Sequence, residues 1–250
     1  MGRSEVIFDF DGVLIDSLDE VIVTSYNTVF RAEAHRLEDL PASFAGFMRL
    51  NRCRARSAGE IALLADWAKR REGCLPAGIL TAEEFSAAAE EGAQELGPLE
   101  ERFFAARRRF AASHPQQWLA LNRPYQPLWR ALQEGLVGQV RIVTYKNAEA
   151  VLELCRHYGL GVLPESVHAT LGLASKRKHL ARLIQELHGA EVYYVDDSLR
   201  SLRELKASLP ALRLLWAAWG YGAPEEEENA KALSIPSVGQ DELIRIVGRR

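Results

Sequence analysis

The sequence predicts an α/β protein: a doubly wound parallel sheet of Rossmann-like type, with an all-helical segment inserted after the first strand. Three observations carry this. A short β-prone run, Val6-Ile7-Phe8, opens the chain and ends in acidic residues. A long stretch with helical periodicity only then runs from about residue 18 to about 113. From about residue 140 onward strand-like and helix-like runs alternate, the rhythm of a parallel sheet closed by helical crossovers.

Taken in order, the first helix is expected from about Leu18 to Ala34, where Leu18, Val21, Ile22, Ser25, Tyr26 and Val29 recur at helical spacing. Ser57-Ala58-Gly59-Glu60 and Thr81-Ala82-Glu83-Glu84 both fit capping boxes, each opening a helix. Pro98 suits the first turn of a further helix through Phe103, Phe104 and Phe110. Between residues 113 and 127 three prolines, Pro115, Pro124 and Pro127, read as a linker. The strand Val140–Thr144 follows, then a helix from Asn147 to His157. Next come a short strand near Val167–Thr170, a helix from Lys176 to His188, and the strand Val192–Val195. A helix from Leu199 to Ala207, the strand Leu212–Trp216 and a last helix over about Asp241–Val247 complete the chain. The expected domains are 1–17 with 125–250 as an α/β catalytic core, and 18–124 as a helical insertion with its linkers.

Composition narrows the function classes. With 250 residues, 48% hydrophobic and 26% charged, the chain is an ordinary globular one with room for a core and an insertion. A net charge of −3 argues against a non-specific nucleic-acid binder. No apolar run approaches the roughly 20 residues that span a bilayer, so no membrane partner is expected. With the first strand so early, no signal peptide is expected. Cys53, Cys74 and Cys155 lack metal-knuckle spacing and are odd in number, so a reducing, cytoplasmic setting is expected.

Ligands of open α/β sheets bind beyond the carboxyl ends of the strands. Those ends carry Asp9 and Asp11, then Thr144, then Asp196 and Asp197. Residues i and i+2 of an extended chain project to one side, so Asp9 and Asp11 face one space. Two carboxylates so placed can divide a hydrolase's work, one as nucleophile and one as general acid and base. The Thr144 hydroxyl and the helical N–H groups behind it can bind a phosphoryl oxygen, or the hydroxyl can simply cap that helix. Lys176 opens a helix, where its charge opposes the macrodipole unless an anion lies nearby; Lys178 is its rival. Asp196 and Asp197 repel one another unless a cation or proton intervenes, and magnesium, which favours hard oxygen ligands, suits them. Lys146 and Asn147 are left without a role.

Asp9-Phe10-Asp11-Gly12-Val13-Leu14-Ile15-Asp16-Ser17 resembles the first motif, DxDGxLxDS, of the haloacid dehalogenase-like hydrolase superfamily. Thr144, Lys176 and Asp196-Asp197-Ser198 resemble its second, third and fourth motifs in order, so the resemblance spans nearly the whole chain. It implies a core hydrolase fold with a helical cap, an aspartyl-phosphate formed on Asp9, and Asp11 as general acid and base. It also implies Mg2+ shared by Asp9, the backbone carbonyl of Asp11, Asp197 and, directly or through water, Asp196. Thr144 and Lys176 would hold the phosphoryl group. Ser201 departs from the pattern, since many relatives carry an aspartate there. Trp219-Gly220-Tyr221-Gly222 resembles a turn common in phosphoglycolate phosphatases.

The resemblance implies a magnesium-dependent phosphatase of small phosphomonoesters, phosphoglycolate-like or sugar phosphates. A phosphosugar mutase of the β-phosphoglucomutase type, or a non-catalytic binding protein on the same fold, are the alternatives. The expected partner is a small phosphorylated metabolite, read in part by arginines Arg49–Arg56, placed in a loop of the insertion. The run Arg107-Arg108-Arg109 is expected to be a solvated face.

Overall fold

Six short strands, most of them apolar on both faces, form one wholly parallel sheet, as runs buried by helices on either side favour. They are β1 (Ser4–Phe8), β2 (Arg141–Thr144), β3 (Val167–Ala169), β4 (Glu191–Asp196), β5 (Arg213–Ala217) and β6 (Ser237–Val238). The computed structural model describes residues 4–135, 139–170 and 172–248. The outermost residues assigned to the core, 1–3 and 249–250, lie outside the described residues. The strand order is β3-β2-β1-β4-β5-β6. β1 is therefore central, and the chain winds away from it in both directions, which opens a crevice at the carboxyl edge.

Register decides what meets there. Phe8 pairs with Val195 across β1 and β4, and Phe8 pairs with Ile142 across β1 and β2. The residue just beyond β1, Asp9, and the last residues of β4 and β2, Asp196 and Thr144, consequently emerge on one edge. The Asp9 N–H donates to Val195 O at 2.8 Å, extending the β1–β4 pairing by one residue.

The chain divides into two compact units, Met1–Asp16 with Pro124–Arg250, and Ser17–Arg123. In the first, Ile7, Val143, Tyr194 and Leu214 of the sheet share a buried cluster with Leu180 and Leu183, Leu199, Leu202 and Leu205, and Ala230. These come from helices over Leu173–Glu186, Leu199–Ser208 and Glu226–Ala232. Val6 and Phe8, alternating with Ile7, face the other way, and they are equally buried.

The second unit is mostly helical: α1 (Leu18–Phe30), α2 (Ala42–Asn51), α3 (Ala58–Arg70), α4 (Ala82–Glu91), α5 (Leu96–Ser113) and α6 (Pro115–Ala120), with two short 3-10 turns, and its last residue, Arg123, begins the short strand Arg123–Pro124. Both expected capping boxes form, Ser57 with Glu60 and Thr81 with Glu84. The Glu20 carboxylate of α1 takes two hydrogen bonds from Arg107 of α5, at 2.9 and 2.8 Å, and one from Thr24 at 2.6 Å.

Several expectations are corrected. The first helix stops at Phe30, where Arg31 adopts a left-handed φ of 53°, and not at Ala34. Arg49 lies on α2 and not in a loop; its guanidinium is 2.7 Å from Asp19. Of its neighbours, Arg52 donates to Ala55 O and Arg54 to Leu80 O, so these side chains brace the local backbone. Arg107 is buried in its ion pair, while Arg108 and Arg109 are exposed. Two of the three prolines of residues 113–127 start helices: Pro115 opens α6, and Pro127 lies in the first turn of a helix over Gln126–Gly135, while Pro124 lies in the short strand Arg123–Pro124. Proline suits a first turn because its missing N–H is not needed there. The last strand, β6, has only two residues and too little sequence to be periodic.

Candidate active site

The chain leaves β1 into a tight turn. Leu14 and Ile15 both donate N–H groups to Phe10 O, at 2.9 and 3.0 Å, and the Gly12 N–H donates to Ile15 O at 2.8 Å. Gly12 has a φ of +81°, and a Cβ there would stand 2.5 Å from Asp197 Oδ2. Only glycine supplies both the backbone conformation and the room. Gly220 is constrained in the same way, since a Cβ would meet Asp197 Cβ at 2.3 Å and Gly12 O at 2.6 Å. Two distant segments, the turn at Gly12 and the loop at Gly220, thus close around the Asp197 side chain.

The loop after β5 fixes that side chain. The Tyr221 N–H donates to Asp197 Oδ2 at 2.8 Å, and the Trp216 indole donates to the Asp197 carbonyl at 2.9 Å. The Tyr221 hydroxyl reaches Asp16 Oδ1 at 2.9 Å, and the Trp219 indole donates to Val13 O at 3.1 Å. The Trp219-Gly220-Tyr221 turn therefore ties the end of β5 to both acidic turns.

Asp9, Asp196 and Asp197 are all buried, and each can offer a carboxylate oxygen within 4.8 Å of those of the other two. Lys176, on the helix Leu173–Glu186, is buried among them, with Nζ 2.9 Å from Asp196 Oδ2 and 3.6 Å from Asp9 Oδ1. The Tyr194 hydroxyl also donates to Asp196 Oδ2, at 2.9 Å, and the Ser198 N–H donates to Asp196 Oδ1 at 2.8 Å. Lys176 Nζ lies over the Tyr145 ring, 4.3 Å from its centroid, a favourable cation–π position. Lys178, two residues on, is exposed.

Electrostatics follow from this crowding. Burial pushes the Asp9 carboxyl up to about 8; Lys176 opposes the rise, and Asp196, Asp197 and Asp11 add to it. For Lys176, burial alone would lower the value, but the Asp196 and Asp9 carboxylates outweigh it and hold the ammonium above its usual range. Burial, with Asp196 and Asp9 behind it, also keeps the Tyr194 phenol well above its ordinary value, so it stays a neutral donor.

Thr144 is buried at the end of β2, where its hydroxyl accepts the Lys146 N–H at 3.2 Å. Its carbonyl accepts both the N–H and the hydroxyl of Thr170, at 2.8 and 3.0 Å. This hydroxyl-closed turn directs Lys146 inward, and Lys146 Nζ stands 3.0 Å from Asp11 Oδ1. The sequence alone assigns Lys146 no role, because a lysine after a strand is most often solvated; the threonine two residues before it is the available signal. The Asp11 carboxylate thus lies against a lysine and is not one of the three acids that converge. Ser201 is buried, its N–H donating to Ser198 Oγ at 3.3 Å.

The donor set suits a hard divalent cation. Asp9 Oδ1 is buried without a hydrogen-bond partner, an arrangement that costs free energy unless a ligand completes it. Four carboxylates, Asp9, Asp11, Asp196 and Asp197, face two ammonium groups, Lys146 and Lys176. With all four ionised, as when a cation displaces the Asp9 proton, two negative charges are left over, which a divalent ion neutralises.

No protein-family model matches the chain, and no curated protein matches its sequence. Solved structures do match its fold over almost the full length. A predicted phosphoglycolate phosphatase from Haemophilus somnus aligns with a TM-score of 0.54 at 16% identity, over 98% of this chain and 97% of its own. A haloacid dehalogenase-like protein of unknown function from Agrobacterium tumefaciens gives 0.53 at 14%, over 98% of each chain. The protein tyrosine kinase A of Mycobacterium tuberculosis gives 0.50 at 18%, over 94% of this chain and 99% of its own. Identities this low speak to architecture, and one architecture hosts several chemistries. The chain has the fold of the haloacid dehalogenase-like hydrolases.

Proposed function

We propose that the protein is a magnesium-dependent phosphatase of a small phosphomonoester, working through an aspartyl-phosphate on Asp9. The observation that carries the reading is the pairing of β1 with β4. It sets a buried carboxylate oxygen that lacks a hydrogen-bond partner, Asp9 Oδ1, beside Asp196, Asp197 and Lys176. The expected substrate is phosphoglycolate-like or a sugar phosphate.

Asp9, Asp197, Asp196 and the backbone carbonyl of Asp11 would hold the cation. Its chemistry is to supply the positive charge that lets a phosphate dianion approach a carboxylate. Lys176 adds a second positive charge and keeps Asp9 and Asp196 from repelling one another. Asp9 attacks phosphorus in line with the ester oxygen, and Asp11 gives that oxygen its proton as the bond breaks. Thr144 and the N–H groups of its turn take the phosphoryl oxygens. Asp11, now ionised, accepts a proton from water, the hydroxide attacks phosphorus, and Asp9 leaves with inorganic phosphate released.

The test is phosphate release from a panel of phosphate esters with and without Mg2+. The wild-type protein is expected to release phosphate only with the metal, and Asp9→Asn to lose at least about 10³-fold in kcat. Wild-type turnover by Asp9→Asn would overturn the assignment. Isomerisation of a phosphosugar without phosphate release would point to a mutase.

A further inference from the structure

The turn after β2 buries a lysine for which the reaction above has no use. The Lys146 side chain is wholly shielded from solvent, whereas its partner Asp11 remains 19% exposed. Removing an ammonium from water costs several kcal/mol unless a partner compensates. Here the hidden member of the pair is the cation, and the member that reaches the crevice is the carboxylate. The two acids of the first turn are also served differently. Lys176 hydrogen-bonds Asp196 and stands 3.6 Å from Asp9, beyond hydrogen-bond reach, leaving Asp9 Oδ1 open. Lys146 instead donates directly to Asp11 Oδ1 at 3.0 Å.

Resting on the phosphatase reading, we infer that Lys146 is a positioning residue for Asp11. Its ammonium fixes Oδ1 as an acceptor and sets the plane of the carboxyl group, so that Oδ2 is the oxygen that exchanges the proton. In the first step the Asp9 oxygen bonds to phosphorus, the ester P–O bond breaks, and the Asp11 proton passes to the departing oxygen. In the second step water loses a proton to Asp11, its oxygen bonds to phosphorus, and the P–O bond to Asp9 breaks. Lys146 keeps its own protons throughout.

Two substrates separate this role from a structural one. With p-nitrophenyl phosphate the leaving group needs no proton, so only the second step depends on Asp11. With an alkyl phosphate both steps do. Lys146→Met is therefore expected to give a one-equivalent burst of p-nitrophenolate at a rate within about threefold of wild type, then steady turnover slowed about 10²-fold. With the alkyl ester it should show no burst and about 10²-fold lower kcat, with KM little changed. Lys146→Gln, which keeps a donor of similar reach, should recover part of the loss. In an Asp11→Asn background Lys146→Met should add almost nothing.

A burst slowed as much as the steady rate would overturn the inference, and so would unchanged turnover or additive losses in the double variant. Absence of phosphate release by the wild-type protein from every ester would instead reject the phosphatase reading itself.

Discussion

Asp9 faces two demands that conflict. Burial and neighbouring carboxylates favour its protonated form, but the nucleophile role proposed for it requires the ionised one. With the carboxyl raised from 3.8 to about 8, the folded chain without a cation keeps a proton that the unfolded chain releases near its ordinary value. The stability this proton confers is full below about pH 4 and is lost as the pH rises through about 8. Across that window unfolding free energy falls by up to about 1.4 kcal/mol per pH unit. Asp9→Asn, a neutral isostere, should flatten that slope and make the cation-free protein more stable at about pH 8. Urea denaturation in EDTA across the window checks this, and an unchanged slope in Asp9→Asn would refute it. At this scale the sequence is informative where side chains break a rule: Asp9, Asp196 and Asp197 are acids at the ends of apolar runs. Lys146 breaks none, because its burial arises from the turn at Thr144 and from an acid 135 residues away.

Among elements, the contact between α1 and α5 shows how a charge run can mislead. Three consecutive arginines look like a solvated face, yet helical geometry sends neighbours in different directions, and only Arg107 points at Glu20. The pair is nearly solvent-free, with side-chain exposures of 7% and 0%, and Arg107 also lies over the Phe103 ring, 4.7 Å from its centroid. Removing one partner leaves a buried charge uncompensated, so Arg107→Met should destabilise the protein by about 3–5 kcal/mol. Replacing both, Glu20→Leu with Arg107→Met, should restore most of that, because two apolar side chains of similar volume need no desolvation. Denaturation midpoints of the full-length variants decide it; a double variant as weak as the single one would show that the pair contributes more than mutual neutralisation. Helices with capping boxes were legible because the cap is a local signal. Those begun by Pro115 and at Gln126 were not, since proline signals a break and a helix start alike. β6 escaped notice because its two residues are held by β5, across Trp216–Ser237 and Ala217–Val238, and not by their own propensity.

For the whole molecule, the Ser17–Arg123 unit separates Asp9 and Asp11 from every other member of the site along the chain. Asp9 and the Asp196–Asp197 pair therefore converge only when the parallel sheet is assembled, and the repulsion between these two segments acts on the folded state alone. A cation that binds the folded chain relieves that repulsion and stabilises the fold by mass action. At a free Mg2+ concentration of about 100 times Kd the gain is about 2.7 kcal/mol, which for a chain of this length corresponds to a rise of about 5–10 °C in Tm. Asp9 must lose its proton to act as a ligand, so the affinity, and with it the shift at fixed Mg2+, should increase as pH approaches about 8. Asp197→Asn should shrink the shift at every pH, because the Tyr221 N–H and the two flanking glycines hold Asp197, the proposed ligand, in place. Thermal melts with Mg2+ against EDTA at two pH values measure both effects. Equal shifts in wild type and Asp197→Asn would mean that magnesium binds elsewhere, and the surplus negative charge at the sheet edge would then need another counter-ion.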